Sequence, residues 1–441
     1  MESNVTVYEP RWYLDYNFNI VENAVIVVEN GKITYCGKKE SAKNSIPADA
    51  IIKKYSRGFL LPGMINAHTH IGEVLLRGIC DDQSLDVWLW NHVWKVEPEM
   101  TPEDAYTGAK LGIAEMIASG VTGFNDQYFY ADEIARAVEE TGVKAYLAPS
   151  IFDDSIDFLE SRTTEDGFRK AKEVHSRWHG KDNRIFIGFG PHAPYTISKD
   201  WYVRINETAK EKGVKIHTHL CETRSEVENA RKEWGMSPIE RMEEIGVLEN
   251  VMAAHCIHLS DNDRNLLAKY RTPVLSCPQS NLKIAAGICG VPQLLEKGIP
   301  VCVGTDGQAS NNNLNVLEEV TLTALIHKGI HYDPMLIDAA TALKTATLNP
   351  SSIFPDGIYS GVIKPGCPAD LIVADFSGIN TVPVINPLST LVYAANQSNI
   401  VLTVCNGQIL YENGEFLTLS IEPLKEKAQK TAERMIQASG I

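Results

Sequence analysis

The stretch LLPGMINAHTHIGEVLLRG, residues 60–78, decides how the chain is read. Apolar and small residues lead into His68-Thr69-His70, and a mixed apolar and polar run follows. Side chains two positions apart on a β-strand point to the same face, so on a strand His68 and His70 would project side by side. They are then either two metal ligands at a strand end or two histidines in a loop.

Seven further segments share the strand-like character of FLLPGMINAHTH: GVTGFNDQ, VKAYLAPSI, RIFIGFGPH, GVKIHTHL, NVMAAHCIH, TPVLSCPQSN and IPVCVGTDG. Helical patterns lie between them, among them Pro102 to Ser119, Asp132 to Thr141, Trp201 to Glu211 and Pro292 to Lys297. Apolar strands alternating with helices imply an α/β protein with a parallel sheet, and eight strands are the number that closes a (β/α)8 TIM-like barrel. A doubly wound open sheet is the other arrangement, but it usually carries a Gly-rich phosphate turn. No GxGxxG or GxxxxGK[ST] follows any of these strands, which argues against nucleotide-phosphate cradling.

The two ends of the chain resemble each other more than they resemble the middle. Residues 23–36, NAVIVVENGKITYC, read as a hairpin about Asn30-Gly31, a type I′ turn signal. Residues 401–417, VLTVCNGQILYENGEFL, repeat the device at Asn406-Gly407 and again at Asn413-Gly414. Either these are independent surface hairpins or the termini meet in one small β-rich domain. The second reading divides the chain into residues 1–58, a barrel over 59–357, and 358–441, which ends in a one-sided helix over Ile421 to Ser439.

Composition narrows the partners. A net charge of −15 and a pI near 5.3 over 441 residues argue against nucleic-acid backbones and anionic membranes. No apolar run reaches the ~18 residues of a membrane span. The nine cysteines are dispersed without a CxxC pair, and Met1 is not followed by a basic and then an apolar leader region. The expectation is a soluble protein of the reducing cytoplasm that acts on a small neutral or cationic molecule.

Several strand candidates end in a ligand or proton-transfer group: His68 and His70, then His192, then His217 and His219, then His255, and last Asp306. Barrel active sites form at the C-terminal ends of the strands. His92, His175, His179, His327 and His331 fall in helical or loop segments and need only a structural explanation. A lone histidine beside an apolar strand is usually a satisfied core or surface residue. His-x-His with His219 and Asp306 at equivalent strand ends favours a metal centre. Three imidazoles and a carboxylate suit Zn²⁺ or another divalent first-row ion better than Mg²⁺ or Ca²⁺.

The motifs PGMINAHTH, GFGPHAPY, HTHLCE, AAHCIH, SNLK, GTDGQASNN and KPGCPADLIVAD occur in this order along nearly the whole chain. This pattern resembles the amidohydrolase superfamily, in particular the aminohydrolases that include 5-methylthioadenosine/S-adenosylhomocysteine deaminases and s-triazine hydrolases. The resemblance implies a metal-dependent barrel flanked by a β-sandwich from both termini, and assembly into homo-oligomers. It also implies His68, His70, His219 and Asp306 as ligands of one divalent metal, Zn²⁺ with Fe²⁺ as the alternative. His217 would support the ligand set from behind. RIFIGFGPHAPY has no lysine to bridge a second ion.

Catalysis would rest on Glu222 as proton shuttle, His255 holding the attacking water and Asp306 accepting its proton. The plainer reading of Glu222 is a carboxylate at a helix start. Glu97 would bind the two ribose hydroxyls of a nucleoside, and His192, Glu222 and Asp306 would contact the substrate. The implied reaction is hydrolytic deamination of 5-methylthioadenosine, 5′-deoxyadenosine, adenosine or S-adenosylhomocysteine. Attack on another electron-poor ring, such as an s-triazine, pterin or free purine base, is the alternative. Trp88, Trp90 and Trp94 are pocket candidates, with at least two expected as core on an amphipathic helix. The resemblance implies an arginine after the third strand that pairs with the amino-acid tail in S-adenosylhomocysteine deaminases; LAPSIFDD has none, and Arg162 is the nearest substitute. A neutral 5′ end is therefore favoured.

Overall fold

The protein is described by a computed structural model over residues 5–42, 46–83, 85–154 and 163–441. Eight parallel strands line the middle of the chain: β1 Met64–Thr69, β2 Val121–Tyr128, β3 Lys144–Ile151, β4 Ile185–Ile187 with a continuation Gly190–Pro191, β5 Ile216–Leu220, β6 Val251–His255, β7 Val274–Ser276 and β8 Val301–Val303. They pair in sequence order within two parallel sheets, β1 to β4 and β5 to β8. Every residue of β2 is buried, as expected of strands covered on both faces.

The two sheets meet at both seams. Phe189 bridges Ile216 in parallel, and the His219 amide donates to the His192 carbonyl at 3.0 Å. On the other side the Asp306 amide donates to the His68 carbonyl at 2.9 Å. Gly304 allows this approach, because a Cβ there would lie 2.4 Å from the His68 nitrogen. The fold is TIM-barrel-like, and both seams run through residues of the site.

Helices fill the connections where the apolar periodicity placed them. They cover Pro102–Ala118, Ala131–Thr141, Lys199–Lys212 and Val291–Glu296. Thr101 starts the first through a capping box with Asp104. Ile421–Ser439 is a helix that buries Leu424, Ala428, Thr431 and Met435, one stripe at helical spacing.

Strands from both chain ends join in one nine-stranded sheet. Ile51–Pro62 is its hinge strand. It pairs in parallel with Val5–Leu14 and antiparallel with Leu371–Asp375, and only Gly63 separates it from β1. The hairpin turns behave as their Asn-Gly pairs dictate, with positive φ at Asn30 and Gly31, at Asn406 and Gly407, and at Asn413 and Gly414. The first two turns also touch. Ala369 donates to the Gly31 carbonyl and accepts from the Gly407 amide, each at 2.9 Å. They are parts of one sheet and not independent surface hairpins.

Candidate active site

The residues that the sequence scatters over 239 positions, from His68 to Asp306, converge at the C-terminal strand ends. Nitrogens of His68, His70 and His219 lie within 4.8 Å of one another, as do ligand atoms of His68, His255 and Asp306. Asp306 Oδ1 stands 3.4 Å from His68 Nε2 and 3.2 Å from His70 Nε2, and His219 Nε2 is 3.3 Å from His70 Nε2.

Each imidazole is aimed by what its other nitrogen holds. His70 Nδ1 meets the Gln127 carbonyl at 2.5 Å, and His219 Nδ1 meets the His192 carbonyl at 2.8 Å. His68 Nδ1 lies 2.7 Å from His217 Nε2, so His217 stands behind a ligand candidate. His255 Nδ1 meets Asn281 Oδ1 at 2.9 Å. The Asp306 carboxylate accepts from Ser280 Oγ at 2.7 Å on Oδ2 and from the Gly307 amide at 2.9 Å on Oδ1. His255 and Asp306 reach these positions with left-handed backbones, φ 67° and 63°, a conformation that non-glycine residues adopt at a cost.

This donor set fits a divalent metal. His68 Nε2 is buried without a hydrogen-bond partner among the described residues, a costly arrangement unless something else takes its lone pair. Burial pushes the His68 pKa down to about 4 and that of His219 well below its usual value, so both offer neutral imidazoles. At His70 burial also acts downward, but the hydrogen bond to Asp306 and the Glu73 and Asp306 charges outweigh it and raise the pKa to about 10. The carboxylates thus draw positive charge to this point, and a cation satisfies the same demand. Three imidazole nitrogens and a carboxylate oxygen are a donor set that suits a divalent first-row ion.

Around the centre is a pocket whose walls include Trp88, Glu97, Tyr128, Phe152, His192 and Glu222. Glu97 is buried, accepts from the Tyr128 hydroxyl at 2.6 Å, and is pushed up to about 7 by burial. Glu222 is also buried, raised by burial, and 3.9 Å from His255 Nε2. It is not the N-cap of the helix Arg224–Trp234, since Thr223 holds that place. His192 stacks on Phe152 with ring centroids 4.5 Å apart and is pushed down to about 3 by burial.

The tryptophans depart from the expected helix. Trp88 and Trp94 line the pocket, whereas Trp90 is 56% exposed. Six residues along a regular α-helix turn a side chain by about 240°, which would separate Trp88 from Trp94. The π turn Leu89–Val93 between them changes that rotation. Arg162 lies outside the described residues. Asp153 and Asp154 are tied to backbone, accepting from the Ser198 and Thr164 amides respectively.

Sequence reasoning passed over Glu73, Gln127, Tyr128, Ser280, Asn281 and Ser310. Ser280 and Asn281 lie inside the quoted SNLK region and Glu73 three residues after His70, which are the signals that could have found them. Among the described residues, no helix is long and apolar enough to cross a membrane.

The model of the amidohydrolase family matches residues 59–410. A 5-methylthioadenosine/S-adenosylhomocysteine deaminase of Thermoanaerobacter pseudethanolicus is 39% identical over 420 residues, covering 95% of this chain and 96% of that protein. A 5′-deoxyadenosine deaminase of Methanosarcina barkeri is 38% identical over 418 residues, 94% of each. The crystal structure of a zinc-bound adenosine deaminase from Xanthomonas campestris superposes with a TM-score of 0.94 at 31% identity, covering 98% of both chains. A metal-type constellation at the strand ends, on a chain aligned nearly end to end with such proteins, has one family reading: this chain belongs to the amidohydrolase family, a family of hydrolases.

Proposed function

We propose that the protein is a metal-dependent hydrolytic deaminase of adenosine-type nucleosides, releasing ammonia and the inosine analogue. The observation that carries this reading is the convergence of His68, His70, His219 and Asp306 beside a buried Glu222, whose pKa burial raises. Relatives named for deamination of 5-methylthioadenosine, S-adenosylhomocysteine and 5′-deoxyadenosine support it.

His68, His70, His219 and Asp306 would hold one divalent ion, Zn²⁺ by donor type, with Fe²⁺ as the alternative. When bound, such an ion supplies Lewis acidity that lowers the pKa of water toward about 7. The protein's own groups do the rest. His255, fixed by Asn281, orients the attacking water against the ring carbon that bears the amino group. Asp306, held by Ser280 on Oδ2 and by the Gly307 amide on Oδ1, takes the water's proton. Glu222 gives its proton to the neighbouring ring nitrogen as the carbon becomes tetrahedral, and the amine takes the proton held on Asp306 and departs as ammonia. Glu97, with one oxygen on Tyr128, receives the vicinal ribose diol on the other, and His192 contacts the substrate. With Asp153 and Asp154 directly following Phe152 of the pocket wall, a neutral 5′ end is preferred to an anionic tail.

We infer the same architecture and setting as the family pattern. The eight strands form one (β/α)8 barrel over residues 59–357, and 1–58 with 358–441 form a sandwich. An apolar cluster joining Tyr8 and Ile26 to Leu402 and Val404, from distant strands of the terminal sheet, supports the sandwich. All nine cysteines are free, which supports a reducing cytoplasm. Tyr332, Met335, Ile379 and Ile385 are each more than four-fifths exposed, which supports homo-oligomers.

The test is a panel of adenosine derivatives and triazines scored by ammonia release and ultraviolet shift, before and after chelation. Nucleoside turnover lost on chelation and restored by Zn²⁺ is expected. Triazine, pterin or free-base turnover without nucleoside turnover overturns the substrate reading. Turnover unaffected by chelation overturns the metal reading.

A further inference from the structure

Glu73 is a polar group of the pocket that this chemistry leaves unused. It lies in the 3₁₀ turn Ile71–Leu76, with its amide donating to the His70 carbonyl at 2.9 Å. The side chain lines the same pocket as Trp88 and Glu97. It is 6% exposed, and its Oε2 has no hydrogen-bond partner among the described residues.

Gly307 explains how the carboxyl reaches this place. A Cβ at position 307 would lie 1.7 Å from Glu73 Oε2. The backbone there has φ −75° and ψ 154°, which any residue adopts. The glycine is needed for the approach of Glu73 and not for its own conformation. A buried carboxyl oxygen without a partner is costly, so its partner is supplied by what enters the pocket.

A nucleoside offers few candidates. Its exocyclic amine belongs at the Glu222 and Asp306 end, where the reaction occurs. The ribose hydroxyls remain, and Glu73 lines the same pocket as Glu97, the diol acceptor, where the charges of His70, Glu97 and Asp306 all act on it. Two buried carboxyl groups, Glu73 and Glu97, thus line the pocket. Resting on the nucleoside-deaminase reading above, we propose that Glu73 is a specificity residue that hydrogen-bonds a ribose hydroxyl and selects for the hydroxylated sugar. A hydroxyl both donates and accepts, so either protonation state of the carboxyl makes the contact.

The experiment compares the parent enzyme with Glu73→Leu, Glu73→Ala and Glu73→Gln on adenosine and its 2′-, 3′- and 5′-deoxy forms. Metal content is measured alongside, and Kd values for inosine and the matching deoxyinosines give a readout independent of turnover. Glu73→Leu is expected to raise KM for adenosine about tenfold, the scale of one lost hydrogen bond. KM should rise far less for the one deoxy analogue that lacks the contacted hydroxyl. The Kd ratios should follow, kcat should carry little of the loss, and Glu73→Gln should restore most of the discrimination. Should the leucine variant fail to fold, the alanine variant makes the same comparison. An equal KM rise on all four substrates, no change, or a loss confined to kcat overturns the assignment while the deaminase reading stands. A parent enzyme that turns over no nucleoside overturns both.

Discussion

Glu222 and His217 are both buried neighbours of the metal candidates, yet they meet different partners. Glu222 faces His255 and the pocket, where the proposed reaction calls for a group that exchanges a proton. Glu222→Gln keeps size and polarity but removes the proton. Turnover should fall by about 10²–10⁴ with metal content unchanged, and kcat near the parent value would remove Glu222 from the mechanism. His217 instead meets the rear nitrogen of His68. His217→Gln should weaken metal affinity about 10–100-fold, read as the free-metal concentration that restores half activity. Unchanged affinity would make that contact mere packing. His68, His70, His219 and Asp306 were all legible as residues, because ligand-type side chains at strand ends are uncommon. Glu73 was not, because a glutamate after a histidine pair has no distinctive spacing.

The helix Val316–His331 shows what an element contributes to a site it does not enter. Its Glu319 is fully buried and accepts from Asn311 Nδ2 at 2.7 Å and from the Gln279 amide at 3.0 Å. Asn311 follows Asp306 by five residues, and Gln279 precedes Ser280 and Asn281, so the carboxyl links the loops after β7 and β8. Burial pushes its pKa from 4.5 up to about 8. The folded state then holds a proton that the unfolded chain gives up above the ordinary value, so this contribution is complete below that value and is lost as pH rises toward 8. Thermal midpoints should fall across this window, and Glu319→Gln should flatten the slope. An identical slope in the variant would contradict the assignment. Helix positions followed from apolar periodicity and capping residues. The π turn at Leu89–Val93 did not, since an extra residue in a helical turn leaves no mark on that periodicity.

At the scale of the molecule, one buried ion pair ties the parallel strands to the terminal sheet. Lys144, the first residue of β3, is fully buried; its Nζ donates to the Ile358 carbonyl at 2.6 Å and pairs with Asp370 beside Leu371–Asp375. Asp370 also accepts from the Asn406 amide at 2.9 Å, at the tip of a hairpin. Lys144→Met strands a buried carboxylate and should cost about 3–5 kcal/mol in denaturant unfolding. Lys144→Met with Asp370→Asn should recover part of that loss. A single variant as stable as the parent would show that the pair does not bind the two parts together.

What the sequence determined alone was everything set by short-range pattern. Asn-Gly pairs required positive φ and made hairpins, apolar runs made strands, amphipathic stripes made helices, and His-x-His set two rings on one face. The tertiary structure alone decided how far each strand end turns. His255 and Asp306 face the centre through left-handed backbones held by neighbouring strands, and Glu73 enters the pocket because Gly307, 234 residues later, leaves room for it. Such contacts join residues distant in the chain, and neither partner carries a local energetic preference that announces the other.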